Sequence, residues 1–264
     1  MVTMELKVYQ VDAFAEQAFV GNPAAVIPLE NWLDDTLMQQ IAMEHNQPET
    51  VFFVRQGDVY HIRWFTPTVE VDICGHATIA SAYVLYNILG YTGDQINFFS
   101  HRSGPLSVNK SGELLTLNFP TDTLQPVEVD EQLRLCFQET PMEAFRGRND
   151  YMVVFSGEQE IRRMQPNWLQ IATLESRGLI VTAKGDEVDF VSRWFGPQSG
   201  INEDPVTGSA HTTLIPYWRD RLGKDELTAL QVSPRCGRLH CVFEGDRVLI
   251  SGKARHYMTG TIYL

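Results

Sequence analysis

Apolar and polar positions alternate along residues 6–13 (LKVYQVDA), the period of a half-buried strand. A Gly-Asn-Pro turn at 21–23 leads into the apolar run AAVIPL, which reads as a buried strand. Over 31–45 the period changes. Leu33, Leu37, Met38 and Ile41 fall at helical spacing, Asn31 is placed to cap, and Asp34 and Asp35 occupy the first turn, where the helix dipole favours acids. The pattern breaks at Asn46-Gln47-Pro48, and Glu49 stands at the mouth of the apolar strand 49–54 (ETVFFV). A strand at 61–65 ends in a proline-marked turn. Residues 77–89 are then apolar nearly all round, with small side chains at Ala77, Ala80, Ser81 and Ala82. A helix apolar on every side is a buried one, so strands are expected to wrap around it. Strands follow at 96–99, 104–109 and 114–119, with Ser111-Gly112 as a hairpin turn.

The later part of the chain runs through the same order. A polar stretch at 120–126, bounded by prolines, marks a domain boundary. Beyond it the pattern predicts a helix at 128–136, a strand at 151–155, and a helix opened by Asn167-Trp168-Leu169 much as Asn31-Trp32-Leu33 opens the first. Strands at 179–183 and 190–195, a helix at 209–221, and strands at 230–233, 238–244, 247–251 and 260–264 complete it. The repeat is explicit in RWFTPTVEVDICGHATIASA at 63–82 and RWFGPQSGINEDPVTGSAHT at 193–212. Both open Arg-Trp-Phe, one residue, Pro, and both close Gly, one polar residue, Ala. Phenylalanine and glycine are ten residues apart in the first copy and thirteen in the second. Two copies with a long period predict two similar domains. The expected fold is α+β: two pseudo-symmetric halves, 1–119 and 120–264, each a curled, mostly antiparallel sheet around a central helix. A strand at 255–264 is able to complete the first half.

Composition narrows the partners. With 264 residues, 44% hydrophobic and 20% charged, the chain can bury a sizeable core. Its net charge of −12 argues against a nucleic-acid or anionic-membrane surface. No apolar run approaches the roughly 20 residues of a membrane span. The N-terminal stretch MVTMELKVYQVDAF lacks the charged-then-apolar order of a signal peptide, so a cytoplasmic protein with reduced thiols is expected. Of four cysteines, Cys74, Cys136, Cys236 and Cys241, none forms a CxxC pair. Cys236, His240 and Cys241 have a loosely metal-like spacing without a second ligand pair, so no metal is expected. Nucleotide, flavin and zinc motifs are absent, and no cofactor is expected.

The candidate chemistry gathers at the two glycine-led helix starts. Free N–H groups and the positive end of the dipole meet at Gly75 and His76, and again at Gly208 and Ser209. Two such termini facing one cleft would clamp a small anionic substrate; tight helix packing is the alternative use of those glycines. Glu49 sits between Pro48 and an apolar strand, where a carboxyl would be partly desolvated and suited to proton transfer; the alternative is an ordinary surface glutamate. The matching stretch Ser176-Arg177-Gly178-Leu179 carries no acid, the asymmetry a one-base site needs. His76 could donate a hydrogen bond or relay a proton, its pKa drawn down by the helix terminus, or could be a capping histidine. Asp204 could orient a substrate ammonium or hydroxyl, or could be a turn residue before Pro205. Cys74 precedes Gly75, whereas Thr207 precedes Gly208. A hydroxyl cannot replace a thiolate as base, so a two-thiol racemase is disfavoured and Cys74 reads most simply as a small buried residue.

The stretches VDAFAEQAFVGNPAAV, ETVFFV, RWFTPTVEVDICGHATIASA and NEDPVTGSAH, spread from Val11 to His211, resemble those of the PhzF-like (phenazine biosynthesis-like) isomerases. The resemblance implies a diaminopimelate epimerase-like fold. It also implies a cofactor-independent isomerase in which Glu49 moves a proton between carbons of a small carboxylate. His76 and Asp204 then join Glu49 in catalysis, Gly75, Gly208 and Ser209 bind the substrate, and the protein forms a homodimer. Pro48 stands where the family usually has serine, so the phenazine precursor itself does not follow as the substrate. Two other readings stay open: an epimerase with Cys74 and Glu49 as its bases, and a non-catalytic small-molecule-binding protein.

Overall fold

A computed structural model describes residues 4–264. The first three residues of the N-terminal stretch, and so of the 1–119 half, lie outside the described residues. Two compact units divide the chain: one runs up to Asn118 and takes in Ser251–Leu264, and the other is Phe119–Ile250.

In the first unit the elements are β1 (Glu5–Ala13), β2 (Asn22–Leu29), α1 (Asp35–His45), β3 (Glu49–Gln56), β4 (Val59–Phe65), β5 (Glu70–Val71), α2 (Gly75–Asn87), β6 (Gln95–Ser100), β7 (Gly104–Ser111) and β8 (Leu114–Pro120). Antiparallel pairs β1–β2, β3–β4, β4–β5, β6–β7 and β7–β8 alternate with the parallel pairs β2–β3 and β4–β6. The apolar-all-round segment forms α2, in which every residue but Tyr83 and Asn87 is buried. Its buried Thr78 and Ser81 hydroxyls are satisfied within the helix turn, Thr78 Oγ1 donating to Cys74 O at 2.6 Å and Ser81 Oγ to Ala77 O at 2.8 Å, while the Tyr86 hydroxyl donates to Asp94 O at 2.9 Å. Such side chains as Ile79, Val84 and Leu85 contribute roughly 1.5–3 kcal/mol each through burial. The amphipathic α1 buries Met38, Ile41 and Ala42 in a separate cluster with Val8, Ile27, Phe52 and Phe65.

The second unit holds β9 (Gln125–Val127), α3 (Glu131–Arg134), β10 (Glu143–Arg146), β11 (Asp150–Val154), α4 (Glu158–Arg163), α5 (Trp168–Ile171), β12 (Gly178–Lys184) and β13 (Phe190–Gly196). They are followed by β14 (Ile201–Asp204), a 3₁₀ turn Gly208–Ala210, α6 (His211–Leu222), β15 (Glu226–Gln231), β16 (Gly237–Glu244) and β17 (Arg247–Gly252). The pairing scheme is the same: β10–β11, β12–β13, β13–β14 and β15–β16 antiparallel, β11–β12 and β13–β15 parallel. Pro216 lies inside α6 and has no N–H for the carbonyl of Thr212. That oxygen accepts from Asp122 N at 3.1 Å instead.

The last strand, β18 (Ala254–Tyr263), belongs to the first unit and runs antiparallel to β1, Glu5 opposite Tyr263. It is ten residues long, close to the 255–264 expected to complete the first half and longer than the short strand 260–264 read from the local pattern. Several other boundaries differ. Asp34, not Asn31, caps α1, accepting from Thr36 N at 2.9 Å. The helix expected at 128–136 is the single turn of α3, capped by Asp130. The strand expected at 230–233 starts at Glu226. The helix expected from Ser209 begins as the 3₁₀ turn.

Candidate active site

The first unit assembles three groups around one imidazole. Glu49 is the first residue of β3 and His76 the second of α2, and their Oε2 and Nε2 atoms are 3.0 Å apart. This is a close ion-pair contact. Both buried atoms lack an aligned partner among the described residues. On the other side of the ring, Nδ1 faces Asn22 Nδ2 at 3.0 Å and Cys74 Sγ at 3.4 Å. Asn22 opens β2 straight after Gly21. The φ of Gly21 is +76°, and a Cβ at that position would lie 2.3 Å from Ala13 O, so only glycine is admitted there.

Burial pushes the Cys74 thiol up to about 11, with the Glu49 charge adding to it, so the sulfur stays protonated near neutral pH. Burial alone would pull His76 down. Its neighbours Cys74 and Glu49 reverse this and hold the imidazole well above its ordinary value. With Cys74 protonated, the Glu49 carboxylate is the lasting part of that push. The downward shift expected from the helix terminus is therefore overturned: a carboxylate at 3.0 Å outweighs a partial dipole charge. Glu49, Cys74 and His76 donor atoms also lie within 4.8 Å of one another, close enough to meet one metal ion. Cys236, His240 and Cys241 form no such group among the described residues.

The second unit brings together Asp204, Thr207, Gly208 and Ser209. Asp204 ends β14 and is buried; its Oδ2 accepts from Thr207 Oγ1 at 2.5 Å. The fully buried Gln231 clasps this turn, accepting from Thr207 N at 2.7 Å and donating to Asp204 O at 2.8 Å. Gly208 and Ser209 open the 3₁₀ turn, the position whose N–H groups have no acceptor within a helical turn.

Register explains why only one half carries the acid. Glu49 opposes Ala24 in the parallel pair β2–β3, and Gly178 opposes Asp150 in β11–β12. The adjoining pairs match as well: Thr50 with Phe65, and Leu179 with Phe195. Gly178 is thus the counterpart of Glu49. A Cβ there would lie 2.3 Å from the Trp194 ring, which leaves no room for a side chain. Sequence reading missed the residue beside it. Arg177 is held by Asp150 through Nε and Nη2, lies over the Trp194 ring, and donates from Nη1 to Ser209 Oγ at 3.0 Å. Arginine has no acceptor, so Ser209 must accept, and its own hydroxyl proton is left to donate elsewhere. The only sequence signal was a lone arginine where the first half has Pro48.

Known proteins are similar to this chain along its length. The chain is 49% identical over 261 residues to an uncharacterized isomerase of Pseudomonas aeruginosa, covering 99% of this chain and 100% of that one. A solved phenazine biosynthesis protein of the PhzF family from Enterococcus faecalis superposes with a TM-score of 0.96 at 45% identity, covering 99% of this chain and 100% of that one. A hydroxyproline epimerase from Agrobacterium vitis shares the fold alone, with a TM-score of 0.62 at 8% identity over 98% of this chain and 93% of that one. The family described as "Phenazine biosynthesis-like protein" matches residues 11–260, and the chain belongs to that family.

Proposed function

We propose that this protein is an isomerase that moves a proton between two carbons of a small carboxylate substrate, with its own side chains as acid and base and without a cofactor. Glu49 removes the proton from one carbon and returns it to the other. His76 stands beside it as a hydrogen-bond donor, Asp204 orients the substrate's polar groups, and the N–H groups at Gly75, Gly208 and Ser209 bind its carboxylate. The homodimer belongs to the same reading.

The observation that carries it is the buried Glu49–His76 contact, 3.0 Å apart with neither atom in an aligned hydrogen bond. Buried polar atoms without aligned partners are uncommon. Here they leave a carboxylate lone pair and a ring N–H ready for a substrate. The relatives named isomerases agree with the class. A Cys74 base fits less well, because a thiol with a pKa near 11 holds its proton. The test is proton NMR in D₂O with a panel of small amino and hydroxy carboxylates. Deuterium entering one of them with the intact protein and not with Glu49→Gln is expected. Full turnover by Glu49→Gln would end this reading.

A further inference from the structure

The Gly-Asn-Pro stretch at 21–23 reads in the sequence as a turn and nothing more. In the structure its asparagine is fully buried and is directed at the catalytic candidate His76. Neutral imidazole carries one proton, on either nitrogen, and the partner of the other nitrogen decides which. The two groups that face Nδ1 are the Asn22 amide at 3.0 Å and the Cys74 thiol at 3.4 Å. An amide NH₂ can only donate, and a thiol that keeps its proton is also a donor, though a weak one. Nδ1 is therefore the acceptor and the ring proton belongs on Nε2, on the side of Glu49.

We propose that Asn22 is a positioning residue that fixes the His76 tautomer, holding Nδ1 as an acceptor so that Nε2–H is presented beside Glu49. The inference rests on the reading of His76 as part of the site, but its content is a proton location that exists without substrate. Asn22 touches no reacting atom. It acts through the ring, as a partner behind a catalytic histidine commonly does.

The amide also limits what else His76 can do. A second ring proton, on Nδ1, would point at the Asn22 NH₂. It is accommodated only if the amide makes a half-turn and presents Oδ1. The neutral Nε2–H tautomer thus goes with the NH₂ facing the ring, and the doubly protonated ring with the half-turned amide.

The experiment is ¹⁵N NMR of the histidine-labelled full chain, with the His76 signals assigned from a His76→Gln variant. Spectra are recorded at a pH high enough for the ring to be neutral. The expected wild-type spectrum has an unprotonated, pyridine-like Nδ1 and a protonated Nε2. In Asn22→Leu the hydrogen bond behind the preference is gone, and the Nε2–H to Nδ1–H ratio should fall about fivefold. In Asn22→Asp, a same-size acceptor, the proton should move to Nδ1. Cys74→Ala should leave the tautomer as it is. A wild-type ring protonated on Nδ1 overturns the proposal even if no Asn22 variant folds, and so does an unchanged tautomer in folded Asn22→Leu. These outcomes are independent of turnover: Glu49→Gln could retain exchange, sinking the isomerase reading, with the tautomer result intact.

Discussion

Arg193 holds Glu203 through two parallel hydrogen bonds, Nε to Oε1 at 2.7 Å and Nη2 to Oε2 at 2.8 Å, and Arg63 holds Glu70 through the same atoms at the same distances. The Arg-Trp-Phe signature therefore repeats as an ion pair and not only as letters. The third nitrogen separates the copies. Arg193 Nη1 donates to the buried carbonyls of Ile161 and Met164, at 3.1 and 3.0 Å, and Arg63 Nη1 reaches the exposed Asp35. Lysine lacks the fork needed for either set. Arg193→Lys should destabilise more than Arg63→Lys by about 2 kcal/mol, since it also strands two buried acceptors. Urea unfolding of the two variants checks this, and equal losses would mean that those carbonyls find other donors.

Glu49→Gln keeps the size and most of the polarity of the side chain but cannot take a proton. Exchange of substrate hydrogen with D₂O should fall roughly 10²–10⁴-fold, while the melting temperature stays close to that of the intact protein. Cys74→Ala should retain exchange. The opposite ranking would favour the epimerase reading.

Two buried histidines should act on stability in opposite senses. Burial lowers His211 to about 4, and its Nδ1 pairs with Thr207 O at 2.9 Å. In the unfolded chain it takes up a proton near 6.5, so the unfolded state binds more protons between those values. Stability from this residue is lost as pH falls from about 6.5 to 4, by about 3 kcal/mol in all. His76 is raised, so its contribution is complete below its unfolded value near 6.5 and disappears as pH rises through the higher folded value. Unfolding free energies of the intact protein, His211→Asn and His76→Gln across pH 4–9 test both signs. His211→Asn should flatten the acid limb, and His76→Gln the alkaline one.

Gly178→Ala should destabilise the second unit by roughly 1–3 kcal/mol through overpacking, because the added methyl meets the Trp194 ring. The larger Gly178→Glu should fare worse and install no second base. A Gly178→Ala protein as stable as the parent would show that Trp194 moves aside freely.

Much of the fold was legible because burial imposes a period. The central α2 and the strands beside it follow from apolar runs with sharp ends, and the α+β class follows from the repeat. Short elements were legible only in part: helices were expected where α3 and α5 form, but with the wrong length for α3, and α4 was not expected. α3 has four residues and α4 has six, between one and two turns each, too few to show a period. The local pattern of β18 shows only 260–264, because it presents the polar run ARHYMT; its fuller extent, expected at 255–264 as the strand that completes the first half, rests on long-range pairing with β1. At the candidate site, Glu49, His76, Asp204 and Ser209 stood out by position in the repeat. Asn22 and Arg177 did not. Asn22 served a turn reading equally well, and the partners of Arg177, Asp150 and Ser209, are 27 and 32 residues away in the chain.

Because β18 belongs to the first unit, that unit is built from two pieces of chain with all of Phe119–Ile250 between them. During synthesis the second unit is contiguous and can fold as it emerges. The first must wait with the outer edge of β1 open until residues near Tyr263 arrive to pair with Glu5. Long-range pairing of this kind is slow, and an open strand edge is prone to wrong partners. The completed ladder fastens the late segment to the early one, so the same feature that delays the first unit ties the opening and closing strands of the protein into one cooperative sheet.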